Sequence, residues 1–174
     1  MIRLRLITRI ALFSALIYVL SWGTSYFPNL NFIFFIVFVA GFLWGVVPGV
    51  LVGLVGMGLW TAFNPYGMAV PPIMLAQMLG AAAGGLVGAW FRRADWQRWS
   101  PARRVFLLVL SAIACTLLFY VPVNLVDAWV FQPFWPRFVA GMLWTVISLC
   151  FNAVIFPLLF KVAVRLYVRE NPSG

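Results

Sequence analysis

Residues 41–53 read GFLWGVVPGVLVG, with Gly41, Gly45, Gly49 and Gly53 falling at every fourth position. A glycine inside a soluble helix costs about 1 kcal/mol relative to alanine, so four in register need a compensating reason. Residues four apart share one helix face, and a face without side chains lets a second backbone come close. That is stabilising in a bilayer, where helices associate through close packing of small residues rather than through a hydrophobic drive. A second ladder runs through Ala76, Gly80, Gly84 and Gly88, and a shorter one through Ala11 and Ala15. Pro48 and the short turn beside it divide the first stripe between two consecutive helices. The two glycine ladders are expected to serve internal packing of a helical bundle.

The composition points to the same solvent. The 174 residues are 65% hydrophobic and 9% charged, with a mean hydropathy of +1.05. A soluble domain is about half apolar and about a quarter charged. The expectation is an all-α integral membrane protein, one domain over residues 1–174. A β-barrel is excluded because the apolar runs lack alternating lumen-facing polar residues. Six transmembrane segments can be drawn, at approximately 6–22, 30–46, 48–63, 71–91, 105–122 and 136–160, the last continuing helically toward 168. Several fall short of the ~20 residues of an upright span; burial by neighbours, bilayer thinning and snorkelling arginines make up the difference. The opening MIRLRLITRIALF is read as a retained first span, since no small-residue cleavage site follows it.

The net charge is +9, and eleven of the twelve basic residues lie in three short segments. Arg3, Arg5 and Arg9 are N-terminal; Arg92, Arg93, Arg98, Arg103 and Arg104 share the loop RRADWQRWSPARR; Lys161, Arg165 and Arg169 are C-terminal; Arg137 stands apart. This is the positive-inside pattern. It places both termini and loop 92–104 in the cytoplasm of a bacterium, with the chain multi-pass in the cytoplasmic membrane. The partners implied by the charge are anionic lipid headgroups of the bilayer, not nucleic acid. The opposite stretches, GTSYFPN, NPYGMAVPP and VNLVDAWVFQPFWP, carry almost no Lys or Arg. Trp22, Trp60, Trp129 and Trp135 fall near that outer boundary, and Trp44, Trp90, Trp96 and Trp99 near the inner one, as interfacial belts do. Trp144 lies within the sixth span.

The reactive residues are few. Cys115 and Cys150 both lie inside apolar runs and there is no histidine, so neither a zinc site nor a disulfide framework is expected. Three acidic residues in all leave no positioned acid–base set for an intramembrane enzyme. No G-x-x-x-x-G-K-[ST] loop is present, so ATP hydrolysis would reside in other subunits. No cofactor is expected.

Polar groups inside a membrane are costly and mark function. On the outer half these are Asn64, Tyr66, Gln77, Tyr120, Asn124, Asp127 and Arg137, with Trp60, Trp129 and Trp135 at similar depth. Aromatic walls with a few directed hydrogen bonds make a ligand pocket. Each has a plainer role beside it. Asn64 and Tyr66 belong to NPYG, a turn sequence; Gln77 can bond a neighbouring carbonyl; Asp127 and Arg137 can form a rim salt bridge. Asn152, deeper, reads as an interhelical hydrogen bond.

The order of features carries a resemblance. A basic N-terminus leads into TRIALFSALIYVLSW, then a polar loop, then FIVFVAGFLWGVVPGVLVGLVGMGLWTAFNPYG, then a Pro-led span ending in LGAAAGGLVGAWFRR. This resembles the membrane-embedded S component of energy-coupling factor (ECF) vitamin transporters over residues 6–93, with residues 105–168 matching in hydropathy and length. The resemblance implies a six-helix bundle with both termini cytoplasmic. It implies a vitamin-like cargo captured at the outer face, and a transmembrane T component with two cytoplasmic ATPases. Ala11 and Ala15 match the family's A-x-x-x-A motif for docking the T component.

The charge inventory narrows the cargo. A cationic vitamin has only Asp127 to meet it, a dicarboxylate only Arg137, and no imidazole is available for nickel or cobalt ions. A flavin or a corrinoid fits a site of stacking and neutral hydrogen bonds, the corrinoid slightly favoured by the many outer aromatics. Cys115 lies where it can ligate a corrinoid cobalt, or it is simply a small buried hydrophobe. A non-enzymatic polytopic scaffold for cell-envelope assembly is the alternative.

Overall fold

The computed structural model of the chain describes residues 2–27 and 29–170; Pro28, in the first outer stretch, and the side chain of Arg3, in the N-terminal basic cluster, lie outside the described residues. Six α-helices occur among them: α1 (Ile2–Thr24), α2 (Ile33–Trp44), α3 (Val46–Phe63), α4 (Pro71–Arg93), α5 (Pro101–Phe131) and α6 (Phe134–Glu170), with a 3-10 turn at Trp96–Arg98. Prolines at the first turns of α4 and α5 fall where a missing N–H is harmless. Ser100 caps α5 by accepting a hydrogen bond from the Arg103 amide at 3.3 Å.

Three boundaries differ from the sequence reading. Five helices are long and apolar enough to cross a membrane, but α2 has 12 residues, about 18 Å of rise, and is not. Every residue from Ile33 to Leu43 is buried, so α2 is a core helix held inside the other five. Second, the chain breaks at Gly45, not at Pro48. Gly45 has φ 90°, a left-handed conformation open to glycine, and α3 begins at Val46 with Pro48 in its first turn. Third, VNLVDAWVFQPFWP is not an outer loop. Helix α5 passes through Pro122 to Phe131 and α6 opens at Phe134. Proline inside a membrane helix is tolerated because neighbouring groups re-satisfy the freed backbone.

Helix α4 is the hub, packed on α2, α3 and α5, while α1 packs on α3 and α6 on α5. The glycine ladders make the hub. An added Cβ on Gly41 would sit 2.1 Å from the Gly85 carbonyl oxygen, on Gly85 2.3 Å from the Gly49 carbonyl carbon, and on Gly88 2.0 Å from the Phe38 carbonyl oxygen. Backbones of α2, α3 and α4 therefore touch, as internal packing requires.

The ends of α2 lie inside protein, where unpaired backbone groups are costly. The Asn31 side chain accepts from the Ile33 amide at 2.9 Å, and the Arg92 guanidinium donates to the Leu43 carbonyl at 2.8 Å. Arg92 also lies over the Tyr167 ring and Arg9 over the Trp44 ring. Arg9 pairs with Glu170, which brings the start of α1 and the end of α6 together. The basic clusters thus gather at one end of the bundle. Trp96 is not an interface residue there: it is buried against Phe42, Phe160 and Tyr167, closing an aromatic core at that end.

Neighbouring glycines should respond differently to a methyl group. Gly85→Ala forces backbone against backbone and should destabilise the fold by about 1–3 kcal/mol. Gly84→Ala, whose nearest neighbours stand at 3.7 Å, should stay within about 0.5 kcal/mol of wild type. Thermal melting of the two purified variants in detergent checks the contrast.

Candidate functional site

At the end opposite the arginines lies a cavity of about 520 Å³. Helix α1 contributes Ser21 and Thr24, its link to α2 contributes Ser25, Phe27, Asn29, Leu30 and Asn31, and α3 contributes Met57 and Trp60. Tyr66 comes from the α3–α4 link, Gln77 from α4, Phe119, Tyr120, Val123 and Asn124 from α5, and Gly141 and Trp144 from α6. None of these residues is charged. Six are aromatic and four carry carboxamides, a set for stacking and for neutral hydrogen bonds.

The cavity exists because α2 stops short. Residues 29–31 line it at the N-terminal end of α2, where a spanning helix would have filled the space. Asn29 holds this link in place. It adopts φ 56°, which asparagine tolerates better than most residues. Its side-chain amide donates to the Trp144 carbonyl at 3.0 Å and its side-chain oxygen accepts from the Tyr120 hydroxyl at 3.4 Å, while its backbone carbonyl lies 3.4 Å from the Ser148 oxygen, whose hydrogen goes to Tyr120. Tyr66 reaches across and donates to the Ser25 carbonyl.

Below the cavity, α5 and α6 are joined by a polar ladder. Asn124 donates to Thr145 at 3.0 Å, Ser148 to Tyr120 at 3.0 Å, and Asn152 to Thr116 at 3.0 Å. Residues 116, 120 and 124 are four apart and share a face of α5, so the ladder fixes the helix pair in rotation as well as in register. Asn152 makes the interhelical bond its depth implied.

Two of the lining residues carry a polar atom that is shielded from solvent and has no partner, Ser21 Oγ and Gln77 Oε1; Ser14, Trp44, Thr61, Arg104 and Asn152 carry others. A desolvated, unpaired polar group costs about 1–3 kcal/mol.

The structure gathers Trp60, Tyr66, Gln77, Tyr120 and Asn124 around this cavity. It does not bring in the other five. Asn64 is consumed by its turn, donating to the Thr61 and Gly67 carbonyls and accepting from the Tyr66 amide at 2.9 Å. Asp127 and Arg137 pair with each other at 3.0 Å and 3.4 Å on the bundle surface. Trp129 and Trp135 point outward, 76% and 70% exposed, as belt residues do. Their helical phase turns them away; the loop expected there would have left them free to turn inward. Ser21, Thr24, Asn29 and Trp144 were not singled out for a ligand by the sequence. Cys115 lies outside the cavity, buried beside Gly84, as a small hydrophobe does. Ala11 and Ala15 are both exposed on α1. Among the described residues no group of three His, Cys, Asp or Glu side chains is placed to hold a metal.

Residues 5–168 match the family described as ECF transporter, substrate-specific component. The chain belongs to that family. No curated protein and no solved structure matched in the comparisons. Membership makes this S component a multi-pass membrane protein and a non-catalytic transport subunit. It acts within a system that also contains a T component and ATPase subunits. The family match extends through α5 and to residue 168 in α6, the part of the chain whose resemblance lay mainly in hydropathy and length.

Because the Ser21 hydroxyl has no partner, Ser21→Ala should leave the melting temperature of the empty protein within about 2 °C, in line with a change under about 0.5 kcal/mol. The same variant should bind a ligand of this cavity about three- to tenfold more weakly. Titration of emptied, purified protein checks both numbers.

Proposed function

We propose that this S component captures a neutral, flat, vitamin-sized cargo of the flavin class at the outer face of a bacterial cytoplasmic membrane and delivers it inward. The observation that carries the reading is the uncharged, aromatic cavity with two unpaired polar atoms, Ser21 Oγ and Gln77 Oε1. A volume of about 520 Å³ sits within the ~300–1,000 Å³ of small-molecule sites and accommodates a flavin. A corrinoid has several times the bulk of a flavin, and Cys115, its one prospective cobalt ligand, lies elsewhere. The flavin is therefore preferred. Trp60, Tyr66, Tyr120 and Trp144 supply stacking walls; Gln77 and Asn124 supply directed hydrogen bonds; the Asp127–Arg137 pair stays outside recognition.

Both termini and loop 92–104 lie in the cytoplasm in this reading, supported by the gathering of the arginines at the end away from the cavity. The T component docks on α1 through Ala11 and Ala15, whose exposure leaves a smooth stripe free for a partner helix. Two cytoplasmic ATPases drive the complex.

Thermal-shift assays with riboflavin, thiamine, folate and cobalamin test the cargo. Riboflavin at about a hundredfold excess over Kd should add about 2.7 kcal/mol, raising the melting temperature by roughly 5–10 °C, and the other three should not. A shift with cobalamin alone would sink the flavin reading. Ala11→Trp combined with Ala15→Trp should leave binding intact and abolish uptake in cells carrying the T component and ATPases; retained uptake removes the docking proposal.

A further inference from the structure

The orientation of the Asn124 amide is settled by its neighbours. Thr145 Oγ1 lies 2.9 Å from the Gly141 carbonyl, and a hydroxyl facing a carbonyl must donate to it. Its only hydrogen is then used, so toward Asn124 it can act only as an acceptor. Asn124 Nδ2 stands 3.0 Å from that oxygen and 3.7 Å from the Met142 sulfur. Both amide hydrogens are thereby committed to α6. The amide oxygen is left without a hydrogen bond among the described residues, on a side chain that lines the cavity and is 9% exposed.

Gly141 provides the room. A Cβ there would meet the Asn124 Cγ and Oδ1 atoms at 2.7 Å, so the amide occupies the volume a side chain would take. Thr145 is fully buried and does not line the cavity. It acts on a ligand only through Asn124.

We propose that Asn124 is a specificity-determining residue locked as a hydrogen-bond acceptor, that Thr145 and Gly141 are the positioning residues that lock it, and that the cargo meets it with a neutral N–H donor of the imide or amide type. This rests on the neutral-cargo reading above and sharpens it. A flavin carries one such donor on the imide edge of its ring. Cargo that presents an acceptor or a methyl group at that point displaces water from the oxygen and leaves it unpaired, which is the strongest basis for rejection by a polar site.

The test uses riboflavin and its N3-methyl analogue, titrated into full-length wild type, Thr145→Val, Thr145→Ser and Gly141→Ala in detergent. Wild type should prefer riboflavin by about tenfold or more. Thr145→Val keeps the shape but frees the amide to rotate. It should lose about tenfold in riboflavin affinity with little change for the analogue, bringing the ratio close to one. Thr145→Ser retains a hydroxyl and should keep the preference. Gly141→Ala should lose it and serves in place of Thr145→Val if that variant fails to fold. An unchanged ratio in folded Thr145→Val or Gly141→Ala overturns the positioning role. Equal binding of both ligands by wild type overturns the acceptor assignment and leaves the flavin reading standing. Wild type that binds neither overturns both.

Discussion

Backbone contact among α2, α3 and α4 is the constraint from which the rest of this bundle follows. Three helices can meet at such distances only where side chains are absent, and Gly41, Gly49, Gly85 and Gly88 are the positions of closest approach. Dispersion forces between well-packed atoms are individually small and collectively large. In lipid they replace the hydrophobic drive that would assemble the same helices in water. Once α2 is gripped in this way its own length ceases to matter for anchoring, and it can be short. Its shortness in turn leaves open the space at its N-terminal end that the cavity occupies.

The two ends of the molecule then take on opposite characters. At one end arginines stack on tryptophan and tyrosine rings, cap the carbonyl end of α2, and enclose an aromatic core. At the other, neutral amides and hydroxyls hold the α1–α2 link against α5 and α6 and leave a polar, uncharged lining. The ladder between α5 and α6 joins the site to the scaffold: Tyr120 and Asn124 face the cavity while their partners Ser148 and Thr145 are buried on the neighbouring helix. Family membership explains why so elaborate a cavity sits in a chain without acid–base or metal chemistry. An S component is a non-catalytic transport subunit, and an uncharged lining suits recognition rather than chemistry.

Much of this was readable from residue types, and the failures have physical causes. The glycine ladders announced close packing because glycine is unfavourable in a helix unless something approaches it. Gln77, Tyr120 and Asn124 stood out because polar groups are scarce in apolar runs. Ser21 and Thr24 did not stand out, since such hydroxyls commonly bond back to their own helix, as Thr24 does to the Leu20 carbonyl at 2.9 Å. Trp129 and Trp135 were drawn toward the site by an expected loop; once residues 123–131 are helical, phase decides their direction, and the sequence offers no phase for a loop. The α2 boundary escaped because an apolar run of that kind looks the same whether it faces lipid or protein. Trp144 signalled its role only as the one tryptophan out of place in the belts.

The brevity of α2 has a consequence for how the protein is made. A helix of about 18 Å cannot rest across a bilayer by itself, and it has no face reserved for lipid. As the ribosome extrudes the chain, α2 must remain sheltered until α3 and α4 have followed, because the surfaces that receive it are encoded after it. The order of synthesis is therefore not the order in which the helices reach their final depth.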